Sequence, residues 1–128
     1  MILIAYIRYI EYNHSVNSLL RQFKAEIFQA LAHPTRIAIV EALRDGEVSS
    51  GALLAQLHVE QANLSQHLAV LRTKHVVVSR KVGNQVYYAI RDRVLIQVLD
   101  LLKQYFNAHL NETVAMLGEM ESEESRRS

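Results

Sequence analysis

The apolar residues of this chain change their spacing close to residue 76 and again after Asp92, and no other feature constrains the fold as strongly. Before that point they recur every three or four residues, as on the buried face of an α-helix. From Val76 to Ile90 they are mostly β-branched or aromatic and flank Gly83, which is typical of a β-hairpin. Helical spacing resumes after Asp92. The sequence therefore predicts a mainly α-helical fold with one small β-hairpin.

Four helices are predicted before the hairpin and one after it. Their expected positions are about Ser15–Ala32, a second helix from Pro34 to a stop at Asp45-Gly46, a third capped by Ser49 or Ser50, a fourth over about Gln61–Lys74, and a last one capped by Asp92. Only His58–Glu60 separates the third helix from the fourth. This arrangement is a helix-turn-helix, and the hairpin that follows is a candidate wing.

The length of 128 residues fits one globular domain. We expect a winged helix-turn-helix domain with dimerisation helices over 15–118, and a charged, disordered tail over 119–128. The first ten residues are apolar except for Arg8, and residues 1–14 are interpreted as an apolar arm or helix extension, or as a loose or non-native leader. They are too short to span a membrane and lack the basic start of an export signal, so a cytoplasmic location is expected. The absence of cysteine is compatible with a reducing cytosol.

The net charge of +1 conceals a polarised charge distribution. Between residues 60 and 93 there are six basic and two acidic side chains, whereas residues 110–128 carry five acidic and two basic ones. Positive charge therefore accumulates around the fourth helix and the hairpin. A polyanion such as double-stranded DNA is the partner that this distribution favours.

The fourth helix carries its apolar residues on one face, with Leu64, Leu68 and Leu71 four and three residues apart. The other side is small, polar and uncharged, which suits hydrogen bonding to base edges in the major groove. The residues predicted to contact bases or phosphates are Asn63, Ser65, Gln66, Arg72, Lys74, Arg80, Lys81 and, at the wing tip, Gly83 and Asn84. For His67 we expect partial burial or a phosphate contact.

The apolar stripe of the last helix is wider than one contact face requires, which favours burial against a second copy of the chain as well. The first helix could complete the same interface. The predicted dimer residues are Leu19, Leu20, Phe23, Leu102, Tyr105, Phe106 and His109.

Three segments resemble the ArsR/SmtB family of bacterial repressors: Phe28–Ile37 (FQALAHPTRI), Asn63–Arg72 (NLSQHLAVLR) and Val82–Tyr88 (VGNQVYY). The resemblance covers about Phe23 to Asn107. It implies a homodimer that binds an imperfect palindromic operator and releases it on an effector or a chemical signal. It also adds Gln61 to the groove-contacting positions.

The chain departs from the family pattern where that family senses its signal. Val48–Leu54 contains no cysteine, and of the zinc ligands on the last helix only Asp92 persists. His109 and Glu112 could share a cation if the partner supplied further ligands, or form a polar patch. No metal site, cofactor or catalytic residue is therefore predicted, and a small-molecule or metal effector stays open.

Two other function classes compete with DNA binding. The fold could serve protein association alone, with the last helix and the apolar N-terminus as its surfaces. An enzyme is disfavoured, because the chain has no cysteine, nucleophile elbow, phosphate-binding glycine loop or paired carboxylates in an apolar setting.

Overall fold

The computed structural model describes every residue from Met1 to Ser128 and contains five helices and three strands. In chain order they are α1 (Ile2–Leu31), α2 (Pro34–Ala42), β1 (Val48–Ser49), α3 (Ser50–Leu57), α4 (Gln61–Thr73), β2 (Val77–Val82), β3 (Gln85–Ile90) and α5 (Val94–Arg127). The chain divides into two compact units, Met1–Arg91 and Asp92–Ser128. The predicted fold, mainly α with a small hairpin, is confirmed.

Local side-chain bonds explain where the short helices begin. The ring Nδ1 of His33 accepts the backbone N–H of Thr35 at 3.1 Å, and Pro34 occupies the first helical position of α2. The hydroxyl of Ser49 accepts the N–H of Ala52 at 3.2 Å and caps α3. Of the two serines proposed for this cap, Ser49 is the one that forms it.

The core of the first unit is built from α2, α3, α4 and the sheet. Its largest fully buried side chains are Ile39, Val40, Leu43, Leu53, Leu71 and Val77. Each such side chain contributes about 1.5–3 kcal/mol through its removal from water. The apolar sides of the helix-turn-helix and of the sheet therefore pack on one core. Their outer sides remain accessible to a binding partner.

The sheet has the strand order β1-β3-β2 and is antiparallel throughout. Strands β2 and β3 form the predicted hairpin, with Gly83 at φ +59° in its two-residue loop, a backbone conformation that glycine adopts without a steric cost. Strand β1 was not predicted, because two residues carry no recognisable alternation. It pairs Val48 with Tyr88 and Ser49 with Tyr87.

The structure shows both ends of the chain as helix. Helix α1 begins at Ile2, so the apolar segment 1–14 is continuous with the predicted first helix. Disorder is predicted from residue 119, whereas α5 continues to Arg127. Glutamate and arginine are good helix formers, and adding turns to an existing helix needs no new nucleus. None of the helices, including α1, has an apolar stretch long enough to cross a membrane.

Candidate nucleic-acid interface

A tight turn sets the positions of α3 and α4. His58 ends α3 in the left-handed conformation, with φ 53° and ψ 43°, and α4 starts two residues after Val59. Histidine tolerates this conformation better than most residues. Glu60 stands at the start of α4 without a side-chain capping bond, where its charge is favourable to the helix dipole. The turn thus forms without a glycine.

The two sides of α4 differ as the sequence predicts. Leu64 and Leu68 are 3% exposed and Leu71 is fully buried. The polar residues predicted to read bases, which are Gln61, Asn63, Ser65 and Gln66, are all exposed. No acidic residue lies within α4. The helix therefore presents amides and a hydroxyl to solvent on a surface that does not repel phosphate, and its contact with DNA stays a prediction.

His67 lies between the two sides of α4 and is half-buried. Its ring centroid is 4.2 Å from that of His33, and its Nδ1 is 3.5 Å from Nη1 of Arg36. The pKa of His67 lies below its ordinary value, first because burial disfavours the charged ring and then because of the positive charges of His33 and Arg36. These contacts favour the partial-burial interpretation of His67 over a phosphate contact.

Arg36 connects three helices, a role that sequence reasoning missed. From α2, its Nε donates to the carbonyl of Ala30 at 2.5 Å and its Nη2 to that of Gln29 at 3.3 Å, at the end of α1. The same guanidinium lies beside His67 of α4. A cation at the carbonyl end of a helix is electrostatically favourable. The sequence feature that could have indicated this role is an arginine in the first turn of a helix that begins only a few residues after the preceding helix ends.

The predicted phosphate-binding residues fall into two groups. Arg72, Lys74, Lys81 and Asn84 are exposed. The guanidinium of Arg80, in contrast, is held by Glu47: Nε and Nη2 donate to the two carboxylate oxygens, both at 2.6 Å. Its central carbon also lies 5.4 Å from the centroid of the Tyr87 ring. The sequence did not reveal this pair, because its members are 33 residues apart.

The hydrogen bonds from Arg80 lower the pKa of the Glu47 carboxyl, and the positive charge of Arg80 acts in the same direction. Glu47 accordingly remains ionised at neutral pH, and the wing arginine has an anionic partner before any DNA is present.

The predicted dimer residues are largely accessible in the single chain. On α1, Leu19, Leu20 and Phe23 are about half exposed, at 54%, 49% and 56%. On α5, the exposed rings of Tyr105 and Phe106 meet edge to face at 5.6 Å. Leu102 is half-buried and His109 is exposed. Each helix therefore carries apolar surface that one chain leaves in contact with water.

The single chain brings together no group of three or more side chains suited to hold a metal ion. His109 and Glu112 are both exposed on α5. The carboxylate of Asp92 accepts the N–H of Val94 at 2.9 Å and so takes part in the start of that helix.

Comparison with known proteins gives a consistent result. A helix-turn-helix domain family matches residues 31–74. The chain is 38% identical to the HTH-type transcriptional regulator Rv0081 of Mycobacterium tuberculosis over 79% of its own length and 90% of that protein. It is 35% identical to the transcriptional repressor SmtB homolog of Synechocystis, over 72% of this chain and 67% of the relative. The chain belongs to the ArsR/SmtB family.

Solved structures of similar proteins share the fold of this chain. The crystal structure of Rv0081 superposes with a TM-score of 0.67 at 38% identity, covering 74% of this chain and 96% of that one. A homodimeric winged helix-turn-helix DNA-binding domain from Mycobacterium bovis superposes with a TM-score of 0.68, covering 75% and 89%, and at 24% identity it supports the fold alone. The ArsR/SmtB family consists of DNA-binding transcriptional regulators, so the prediction that the chain is not an enzyme is confirmed.

Proposed function

We propose that this ArsR/SmtB regulator is a homodimeric repressor that places α4 in the major groove of an imperfect palindromic operator. The observation that carries the proposal is the exposed, uncharged face of α4 around Ser65 and Gln66, opposite three buried leucines. Amide and hydroxyl groups at such positions pair with base edges, glutamine in particular with adenine. Gln61 and Asn63 extend the same surface.

Basic side chains on either side of that face supply the phosphate contacts. Arg72 and Lys74 lie at the end of α4, and Lys81 lies on the first strand of the wing. Such contacts fix the register and orientation of a protein on the duplex without reading its sequence. The wing tip at Gly83-Asn84 is proposed to follow the backbone or the minor groove. Acting on DNA, the protein is proposed to work in the cytoplasm.

A second copy of the chain is proposed to cover the apolar surface of α1 and α5. The M. bovis domain of the same fold is homodimeric. In a symmetric dimer the two recognition helices read half-sites about 34 Å apart, one turn of DNA, which matches a palindromic operator.

Release of the operator on an effector or a chemical signal is part of this proposal. Thiol oxidation and thiolate-bound metals are excluded as signals, because the chain contains no cysteine. A small molecule, or a metal held by nitrogen and oxygen ligands such as His109 and Glu112, fits the available side chains.

Binding of purified protein to duplexes from its own promoter region tests the proposed function. We expect Gln66→Ala to weaken operator binding about 100-fold, since a good contact to a base edge is worth about 1–3 kcal/mol and the dimer would lose one in each half-site. Affinity for a random duplex of equal length should change little. Fluorescence anisotropy measures both.

The matched control is Gln97→Ala, which removes an exposed glutamine from α5. Operator affinity should be unchanged in that variant. If Gln66→Ala and Ser65→Ala both bound the operator as tightly as the wild type, the assignment of α4 as the reading helix would be wrong. If the folded wild type preferred no promoter fragment over random duplex, an association-only role would replace this proposal.

A further inference from the structure

The pairing of Arg80 with Glu47 has a consequence for DNA binding. We propose that Glu47 is an affinity-setting residue: its carboxylate occupies the wing arginine in the free protein and must be replaced by a DNA phosphate before Arg80 contacts the operator. This inference rests on the proposed function, because it concerns the strength of the same DNA interaction. Glu47 would thereby keep binding to all DNA weaker and more readily reversed.

The sheet explains how residues so distant in the chain meet. Arg80 on β2 is directly opposite Tyr87 on β3, and Tyr87 is directly opposite Ser49 on β1. Residues in register across strands share one face of a sheet, and positions two apart on a strand do so as well. Glu47 precedes Ser49 by two residues. On this face the Arg80 side chain therefore crosses the Tyr87 ring and reaches the Glu47 carboxylate next to β1, at the opposite edge of the sheet.

The hydrogen bonds use the groups that a phosphate would need. Two parallel N–H···O bonds of 2.6 Å engage Nε and Nη2, one full edge of the guanidinium. Arginine binds carboxylate and phosphate with the same two-pronged geometry, so the two anions compete for that edge. The ring of Tyr87 adds a cation–π contact that holds the guanidinium over the sheet.

The pair is also placed where exchange is feasible. The Arg80 side chain is 62% exposed and that of Glu47 31% exposed. Ion pairs in contact with water are weakened by solvent and salt, so a phosphate that approaches the wing has access to the arginine. Such an exchange would leave the Glu47 carboxylate close to the DNA backbone, where like charges repel. Both effects reduce affinity for DNA of any sequence.

The test compares wild type with Glu47→Gln, which removes the charge and keeps the size of the side chain. If each of the two protomers gains the equivalent of one phosphate contact and affinity at 1 M salt is unchanged, binding should tighten roughly 18-fold at 200 mM and roughly 220-fold at 50 mM salt, with a salt slope steeper by about 1.8. Operator and random duplex should gain alike, since phosphate contacts do not read sequence. Anisotropy titrations across this salt range provide both quantities.

Two controls isolate the pair. Asp45→Asn removes an exposed negative charge two residues away, and any gain common to both variants is general electrostatics. When Arg80 is already replaced by glutamine, Glu47→Gln should increase DNA affinity by no more than Asp45→Asn does in the wild type. Circular dichroism confirms that each variant is folded.

The possible outcomes separate a failure of the inference about Glu47 from a failure of the proposed function. A Glu47→Gln protein that binds like Asp45→Asn, or more weakly than wild type, overturns the inference; the weaker binding would mean that Glu47 positions Arg80 for DNA. A gain confined to the operator also overturns it. A folded wild type that binds no DNA overturns the proposed function and this inference together, whereas the other failures leave the proposed function intact.

Discussion

His67 illustrates how a single residue links the proposed DNA-binding surface of α4 to the protein interior. Ser65 and Gln66, which precede it on α4, are exposed, yet its own ring packs beside His33 and Arg36. His33 caps α2, and Arg36 lies in its first turn. Any change in the charge of His67 therefore acts directly on the packing of α4.

The lowered pKa of His67 predicts a loss of stability in mild acid. In the unfolded chain its pKa is near the ordinary value of about 6.5, so the unfolded state takes up a proton before the folded state does. Stability is therefore fully present above about pH 6.5 and falls as the pH drops through the lowered pKa. We expect the Tm of His67→Gln to fall less between pH 7.5 and 5 than that of wild type.

Thermal melts followed by circular dichroism provide this comparison. His14→Gln, at an exposed position on α1, is the matched control and should follow the wild-type pH dependence. Identical pH dependence for His67→Gln and wild type would contradict the prediction.

The C-terminal end of helix α1 is stabilised less by its own residues than by a residue of α2. No basic residue lies in the last turn of α1, and its final carbonyl groups accept hydrogen bonds from Arg36 instead. The arginine thereby compensates the negative end of the helix dipole and holds α1 against α2.

Arg36→Ala should therefore destabilise the protein by about 2 kcal/mol, the typical net worth of hydrogen bonds made by a charged group. Arg36→Lys keeps the charge but loses the two-pronged geometry, so it should recover only part of that loss. Urea denaturation at one fixed protein concentration measures both, since the stability of a dimer depends on concentration. Equal stability of Arg36→Ala and wild type would show that these bonds contribute nothing.

In the proposed homodimer, a second copy of the chain covers the apolar surface of the terminal helices. Phe106 on α5 is 60% exposed and lies against Tyr105. Large apolar side chains that cluster on one surface usually mark an interface.

Phe106→Asp is expected to shift the protein from dimer to monomer in sedimentation equilibrium, because a charge in an apolar interface is costly to desolvate. Operator affinity should fall with it, since a monomer reads one half-site. Val94→Asp, at a position of similar exposure (57%) at the start of the same helix, is the control and should remain dimeric. A dimeric Phe106→Asp protein would place the interface elsewhere.

Local patterns in the sequence determined the recognition helix and the wing. The alternation of leucines and polar residues on α4 depends only on helical geometry, and the hairpin around Gly83 depends only on strand spacing and a two-residue loop. The left-handed turn at His58 is likewise a property of a few adjacent residues. Such features can be predicted from the sequence because the residues that form each of them lie close together along the chain.

Only the tertiary structure decided which charged and polar side chains are engaged with other residues. Arg80 meets Glu47 across 33 residues, and Arg36 meets His67 across 31. Strand β1 exists because β3 supplies its hydrogen bonds. These contacts require that distant segments be brought together by the buried core, and no periodicity along the chain encodes which side chains then come within hydrogen-bonding distance.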